Sequence, residues 1–292
     1  MKVHKIKLGS RPIISLSGTA LYGLGVWLNN ELQPLIKKID SYVSSSRSFK
    51  DELLKQQPFG KNARFFTADA VGMYNNIDTK HALEKIKHFF QTHPLCFLLN
   101  WKPLYAALEI IMTCNVFQFS DYFFLQISRC SMDTPPAPPY AILYFAIKEL
   151  ELAIYKIWLR LYYRYIDDIE GVWLLDDDLS MDGITWQSFQ DCMNDYGKLK
   201  WEFTERSREA IFLDLQLNMD KEGEVTTKIH EKAMNLYLYL PPHSAHAPGV
   251  LKGLIFGTIH RIFVLTNNLQ NRQDTLQRFH IRLIRRGYKN LV

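Results

Sequence analysis

The sequence has few cysteines and no long uninterrupted apolar run, and both absences exclude broad classes of protein. Its 292 residues include four cysteines, which lack the close pairing of a zinc ribbon or a disulfide framework. No stretch of about 18 uncharged apolar residues occurs, and the N-terminus lacks the apolar segment of a signal peptide. We therefore expect buried thiols in a non-secreted protein that does not enter a membrane.

Apolar residues are abundant enough to bury a large core, and the charge is unevenly distributed. The chain is 47% hydrophobic and carries a formal net charge of +5. Residues 249–292 contain eight Lys or Arg residues against one acidic residue, Asp274. A basic C-terminal end of this kind favours a polyanionic partner.

The most informative stretch is YYRYIDDIEGVWLL, residues 162–175, in which aromatic and β-branched residues flank Asp167 and Asp168. This pattern predicts a β-hairpin with the two carboxylates at its turn. Adjacent carboxylates repel each other unless a cation neutralises them, which indicates a metal site. An Asp-Asp pair is also ordinary turn chemistry, so the pair alone leaves both interpretations open.

Another acid, Asp69, lies where a predicted strand within residues 63–78 meets an irregular turn. Asp78 is predicted to cap the helix that follows, because the next apolar residues fall on one helical face. An acid in the position of Asp69 is a capping or turn residue in many proteins. Its local sequence therefore does not decide its role.

The remaining segments predict alternating helices and strands. We expect a helix or helix pair in 18–44, one strand in 117–127, a buried helix over about 140–161, a helix over 184–196, strands over 199–204 and 211–217, a strand through Thr226 and Thr227, and basic helices at the end. Strands that alternate with helices in this way, together with a hairpin, predict an α+β fold with an antiparallel sheet backed by helices.

Taken in order, six segments resemble motifs of the reverse transcriptases of Penelope-like retroelements. They are RPIIS (11–15) of the fingers, FTADAVGMYNNI (66–77) with the first palm aspartate, MDTPPAP (132–138) before the palm helix, the double-aspartate motif YRYIDDI (163–169), FLDL (212–215) of the palm, and NLYLYLPPHSAHAPGVLKGL (235–254) of the primer grip and thumb. The likeness extends from about residue 2 to residue 292. Six motifs in a fixed order are more specific than any one of them.

This resemblance implies a right-hand polymerase of the α+β class, with an antiparallel palm sheet backed by helices, partial fingers and a helical thumb. It assigns residues 1–240 to the partial fingers and palm, and residues 241–292 to a basic, mainly helical thumb. Relative to the family, the chain begins inside the fingers and shows no GIY-YIG endonuclease. We therefore expect a fragment or a decaying copy of an element protein.

The implied activity is RNA-directed DNA polymerisation, in which a primer 3′-hydroxyl attacks the α-phosphate of a deoxynucleoside triphosphate with two Mg²⁺ ions bound. By resemblance, Asp69 and Asp167 are metal ligands, Asp168 is a third and weaker acid, and the carbonyl of Ala70 adds a ligand. The implied partners are an RNA template, a DNA primer and deoxynucleoside triphosphates, with no membrane. By analogy with retroelements, the expected location is the nucleus.

The same resemblance assigns the substrate contacts. Lys7 and Arg11 would contact the triphosphate, unless they are ordinary solvated charges, and Met132 would face the nascent base pair. Tyr74 lies where the family places the aromatic residue that excludes a 2′-hydroxyl, and a buried aromatic without that role is the alternative. The residues implied to bind the template-primer backbone are Lys252, Arg278, Arg282, Arg285 and Arg286.

Two residues depart from the family pattern Q-x-x-G-x-x-M-G-T-P, because Arg129 and Asp133 stand where glycines are expected. Glycine permits positive φ and close backbone approach, so side chains at these positions would strain the loop or crowd the nucleotide. The alternative function is therefore a catalytically inactive polymerase fragment that only binds nucleic acid. An RNA-dependent RNA polymerase is a third possibility, which a steric gate at Tyr74 would argue against.

Overall fold

The fold is known from a computed structural model that describes residues 16–126, 129–232 and 235–288. Within these ranges the helices are α1 (Tyr22–Ile36), α2 (Ser46–Gln56), α3 (Met73–Asn76), α4 (Thr79–Thr92), α5 (Trp101–Thr113), α6 (Ala137–Glu149), α7 (Leu179–Asn194), α8 (Val250–Leu265) and α9 (Leu269–Arg285). The strands are β1 (Ala63–Ala70), β2 (Val116–Phe119), β3 (Tyr122–Leu125), β4 (Leu159–Tyr165), β5 (Asp168–Leu174), β6 (Trp201–Phe203), β7 (Glu209–Phe212), β8 (Leu215–Met219) and β9 (Val225–Ile229).

A four-stranded sheet with the strand order β4-β5-β1-β6 forms the centre, and its neighbouring strands are all antiparallel. Successive residues of β1 point to opposite faces, so Phe66 and Ala68 enter one core while Ala63 and Phe65 enter another. Helices including α6 cover the first face. Helix α2 and the separate sheet β7-β8-β9 cover the second. The predicted α+β class, with an antiparallel sheet backed by helices, is confirmed.

Helix α6 is the buried helix predicted behind the sheet, but its predicted C-terminal end is wrong. The expectation was a helix over about 140–161, whereas α6 ends at Glu149, a 3₁₀ helix covers Leu150–Tyr155, and β4 begins at Leu159. Residues of β4 pair with β5 along the hairpin. This pairing, together with the aromatic and β-branched character of β4, outweighs the local apolar pattern that suggested a longer helix.

The predictions of a single strand over 117–127 and over 211–217 are both wrong, because each segment contains a hairpin turn. The first is divided between β2 and β3 and the second between β7 and β8. The first central residue of each turn has a positive φ, 55° at Ser120 and 53° at Leu213. Glycine or asparagine usually marks such turns in a sequence, and neither residue occurs here.

Helices α8 and α9 pack together around a small core of their own. Ile262, Phe279, Leu283 and Tyr288 are buried there, and Tyr239 of the preceding extended segment packs against them. Arg286 Nε donates a hydrogen bond of 2.7 Å to the Tyr239 carbonyl. The extended segment is therefore attached to α9 by both apolar and polar contacts.

The expected burial of the cysteines is confirmed for Cys96 and Cys130 but is wrong for Cys114, which is exposed. Cys114 follows the last residue of α5, outside the apolar face that this helix buries. Among the described residues, no helix combines the length and the apolar character needed to cross a membrane.

Gly171 lies in the middle of β5, where the packing under the central sheet leaves no room for a side chain. A Cβ atom at this position would lie 2.4 Å from two ring carbons of Phe66, which is itself fully buried. We expect Gly171→Ala to destabilise the protein by about 1–3 kcal/mol, because the core must shift to admit one methyl group. Chemical denaturation measures this change. As a control, Gly183→Ala in α7, where a Cβ meets nothing within 4 Å, should increase stability by about 0.5–1 kcal/mol.

Candidate active site

The three predicted acids come together at one end of β1 and β5. Asp69, near the end of β1, lies directly opposite Asp168, the first residue of β5, in the antiparallel register. Asp167 occupies the turn before β5, and its carbonyl accepts a hydrogen bond of 2.9 Å from the Ala70 N–H. The sheet thus brings a strand end and a hairpin tip together, as the sequence predicts.

Burial and the neighbouring carboxylates both disfavour the ionised form of Asp168. Burial, followed by the nearby charges of Asp167 and Asp69, raises the pKa of Asp168 to about 6. A cation would relieve this repulsion, because an opposite charge within a few ångströms favours the ionised carboxylate. The site therefore suits a positively charged ligand.

Carboxylate oxygens are hard ligands of the kind that Mg²⁺ prefers, and Mg²⁺ commonly takes only one or two from the protein and the rest from phosphates and water. Within the described residues, no group of three Asp, Glu, His or Cys side chains is close enough to hold a metal ion by itself. Metal binding at these acids therefore stays a prediction. Ala70 is buried, and its carbonyl oxygen is its only possible metal ligand. Its role as a further ligand stays a prediction.

Two further acids adjoin the site and were missed in the sequence. Glu202 of β6 lies opposite Asp69 in the register of β1 and β6, and is exposed. Glu170 of β5 lies opposite Thr67 and is fully buried, and within the described chain its carboxyl oxygens have no hydrogen-bond partner. The alternation of β5 indicates that Glu170 shares the face of Asp168. The sequence around Glu170 and Glu202 does not indicate which strands will pair with β1, so neither acid could be assigned to the site.

A cleft of about 340 Å³ opens beside the acids, and Asp69, Asp168, Glu202, Thr204 and Leu213 are among its lining residues. A larger cavity of about 460 Å³ lies between the end of α6 and β4, and none of the three acids lines it. The smaller cleft is the chemically relevant one, since it contains the carboxylates.

Tyr74 and the loop before α6 lie next to each other. The Tyr74 carbonyl accepts a hydrogen bond of 3.0 Å from the Cys130 N–H. Burial, followed by the proximity of Cys130 and Asp167, raises the pKa of the Tyr74 hydroxyl, which places this ring near the acids. Met132 is half-buried in the same loop. The roles of Tyr74 and Met132 as nucleotide contacts stay predictions.

The two departures from glycine differ in their backbone conformation. Arg129 has a φ of 76°, in the region that favours glycine, and its side chain is exposed. The backbone at this residue thus has the conformation in which a side chain is unfavourable, and the strain of the loop stays a prediction. Asp133 is exposed and is not among the described residues with positive φ, so backbone strain does not arise there.

The predicted basic contacts are only partly available at the surface. Lys252, Arg278 and Arg285 are exposed, whereas Arg282 and Arg286 are half-buried. Arg278 and Arg282 form salt bridges of 3.1 and 2.5 Å with Glu231. Partial burial opposes ionisation of Glu231, but Arg282 and Arg278 outweigh it and lower the pKa of this carboxyl. These two arginines thus connect α9 to the segment after β9. The predicted triphosphate contacts Lys7 and Arg11 lie outside the described residues.

No protein family matches the sequence, and a search of curated proteins also gave no match. Solved structures do match. Telomerase from Candida albicans, in complex with a TWJ fragment of telomeric RNA, aligns over 94% of this chain and 48% of its own, with a TM-score of 0.61 and 12% identity. The chain thus spans about half the length of that telomerase.

Weaker matches are apo telomerase from Candida tropicalis, truncated from its C-terminal domain, and an RNA-dependent RNA polymerase. The first covers 72% of this chain and 46% of that chain, with a TM-score of 0.47 and 14% identity. The second covers 66% of this chain and 20% of that chain, with a TM-score of 0.43 and 13% identity. The Candida albicans match carries the conclusion that this chain has the fold of a polymerase core, similar to the core of that telomerase.

Proposed function

We propose that the protein is an RNA-directed DNA polymerase that extends a primer by nucleotidyl transfer. The observation that carries this proposal is the alignment of Asp69 with Asp168 across the sheet, with Asp167 at the adjoining turn. Acids at a strand end and a hairpin tip form a site open to a triphosphate. The polymerase-like fold and the motif order support the same conclusion.

In this proposal Asp69 and Asp167 would hold two Mg²⁺ ions, and Asp168 would be the weaker third acid. When bound, the ions would stabilise the negative charge that develops on the attacking and leaving oxygens. The chain itself positions these carboxylates on a rigid sheet, and Tyr74 and Met132 would contact the nucleotide. The exposed Lys252 and Arg285 are available for the template-primer backbone.

The finer assignments are part of the same proposal. They comprise partial fingers and palm in residues 1–240, a thumb in residues 241–292, an origin in a Penelope-like retroelement, and action in the nucleus on an RNA template with a DNA primer and deoxynucleotides. The motif series supports them.

Primer extension tests the proposal. The purified chain would be incubated with a primed RNA template, Mg²⁺ and deoxynucleotides, beside an Asp167→Ala/Asp168→Ala variant. Extension by the wild type that disappears in the variant supports a reverse transcriptase. Extension that persists in the double variant would show that another protein or another site is responsible.

Tyr74 provides a test of sugar selection. If its ring packs under the sugar and excludes a 2′-hydroxyl, Tyr74→Ala should increase ribonucleotide incorporation relative to deoxynucleotide incorporation by about 10–100-fold, because the steric exclusion is removed. Single-nucleotide incorporation with matched triphosphates measures this ratio, and Tyr74→Phe, which keeps the ring, should leave it unchanged. An unaltered ratio in Tyr74→Ala would show that the residue is only a packed aromatic.

A catalytically inactive polymerase fold that binds nucleic acid is the second candidate, and the backbone at Arg129 specifically favours it. A non-glycine residue at a φ of 76° is strained in the loop that contacts Tyr74. Asp133 adds a negative charge to the same loop. Salt-dependent binding to a primed RNA without extension would identify this function.

The strain itself can be measured. Arg129→Gly should stabilise the protein by about 1 kcal/mol, because glycine adopts positive φ without steric cost. Chemical denaturation of the variant beside Asp133→Gly provides the comparison, since Asp133 does not have positive φ and should gain nothing. Equal stability changes at both positions would contradict the strain at Arg129.

A further inference from the structure

Arg164 of β4 is a fully buried charged residue three positions before Asp167. Its guanidinium donates from Nε to Glu149 Oε1 at 2.5 Å and from Nη2 to Glu149 Oε2 at 3.1 Å. Nη2 also donates to the Ile142 carbonyl at 2.8 Å, and Nη1 donates to the Ile166 carbonyl at 3.1 Å. The last acceptor belongs to the turn that carries the acids.

The surroundings hold this guanidinium in a single orientation. Glu149 also accepts hydrogen bonds from the Tyr162 hydroxyl at 2.8 Å and the Ser41 hydroxyl at 2.5 Å. The backbone of Arg164 is fixed as well, because its N–H donates to the Ser41 carbonyl and its carbonyl accepts from the Val43 N–H. A planar guanidinium with several fixed acceptors is more constrained than a flexible ammonium.

Ile166 needs such a constraint because its conformation is unfavourable. It is the first central residue of the turn between β4 and β5, and its φ is 53°. A type II′ hairpin turn places glycine at this position, and positive φ is uncommon for a β-branched residue. Residues in such conformations persist only where the surrounding structure holds them. The carbonyl of Ile166 belongs to the peptide group that leads into Asp167.

We propose that Arg164 is a positioning residue, whose buried guanidinium holds the Ile166 carbonyl and thereby the turn that presents Asp167 and Asp168. The inference rests on the proposed function only in treating these two acids as catalytic. Arg164 touches neither a substrate nor the reacting atoms in this assignment. It acts through the backbone of the turn.

Hydrogen exchange tests the positioning without any need for activity. The probe is the Ala70 amide, which donates to the Asp167 carbonyl, and the reference is the Phe65 amide, which donates to the Ser207 carbonyl at the other end of β1. In Arg164→Lys we expect Ala70 to exchange about tenfold faster or more, with Phe65 unchanged. A paired Arg164→Met/Glu149→Met variant, which leaves no unpaired buried charge, should behave likewise.

Kinetics test the consequence for the acids. In Arg164→Lys we expect kcat for nucleotide incorporation to fall about 10–100-fold, as for other residues that orient metal ligands, with a smaller change in KM. Adding Ile166→Gly should restore part of kcat, because glycine adopts positive φ without support. Ser120→Gly is the matched control, since Ser120 has a φ of 55° in the hairpin of β2 and β3, away from the acids, and it should restore nothing.

Three results would overturn the proposal. They are an unchanged Ala70 exchange rate in a folded Arg164 variant, a recovery by Ser120→Gly as large as that by Ile166→Gly, and a loss of kcat fully explained by global unfolding. If the wild type itself extends no primer, the proposed function fails. The exchange measurement then decides by itself whether Arg164 holds the turn.

Discussion

Replacing Asp69 or Asp167 by asparagine should reduce nucleotide incorporation on the order of 10³-fold, whereas Asp168→Asn should lose only about tenfold. Stabilisation of developing charge by a bound metal is worth several kcal/mol, and each 1.4 kcal/mol corresponds to a factor of ten. The smaller effect at Asp168 follows from its proposed role as the weaker third acid. Single-nucleotide incorporation on a primed RNA with saturating Mg²⁺ measures the rates.

In these variants, a loss of activity caused by unfolding must be distinguished from one caused by the missing carboxylate. Asp167 and Asp69 both raise the pKa of Asp168, so Asp168→Asn should not unfold at a lower temperature than the wild type in metal-free buffer, and thermal unfolding of every variant is measured beside its activity. Glu222→Gln, at an exposed position between β8 and β9, is the matched control and should keep the wild-type rate. Wild-type activity in Asp69→Asn would refute the assignment of the site.

Replacing Glu170 by methionine should stabilise the protein increasingly as the pH rises from 5 to 8. Burial raises the pKa of Glu170 well above its ordinary value of 4.5, so the folded protein keeps a proton that the unfolded chain releases. Between the two pKa values the stability of the wild type falls by about 1.4 kcal/mol per pH unit from this residue alone. The penalty is absent below the unfolded pKa. Methionine removes it, because a thioether does not ionise.

Urea denaturation at pH 5, 6, 7 and 8, in buffer with EDTA, measures the difference between wild type and Glu170→Met. At pH 5 we expect the variant to be more stable by about 1–3 kcal/mol, the cost of a buried polar group without a partner, and the difference should grow at pH 6, 7 and 8. Glu222→Gln should show no difference that changes with pH. A constant difference between wild type and Glu170→Met across this range would mean that Glu170 is ionised or partnered in the folded protein.

The acids at the hairpin were predictable because their signals are local. Aromatic and β-branched residues on both sides of Asp167 and Asp168 indicate paired strands, and the alternation within those strands indicates which residues share a face. The cap at Asp78 was predictable for the same reason, and it is confirmed by its hydrogen bonds from the Lys80 and His81 amides. Local chemistry determines such features without reference to the rest of the chain.

The turns at Ser120 and Leu213 were not predictable, because each contains a residue that rarely adopts positive φ. The end of α6 was missed because the pairing of β4 with β5 in the hairpin overrides a continuous apolar pattern. The salt bridges of Arg278 and Arg282 with Glu231 were also not predictable, because Glu231 lies about 50 residues away in the sequence. In each case a contact formed by folding decides the outcome.

The sequence by itself determined the α+β class, the strand that ends near Asp69, the hairpin that carries Asp167, and the basic character of the C-terminal helices. Only the tertiary structure decided that Asp69 faces Asp168 on one side and Glu202 on the other, and that Arg164 holds the turn before Asp167. The physical reason is that strand order and register depend on burial summed over both faces of the sheet. The alternation of residues within one strand therefore does not specify which strand will lie beside it.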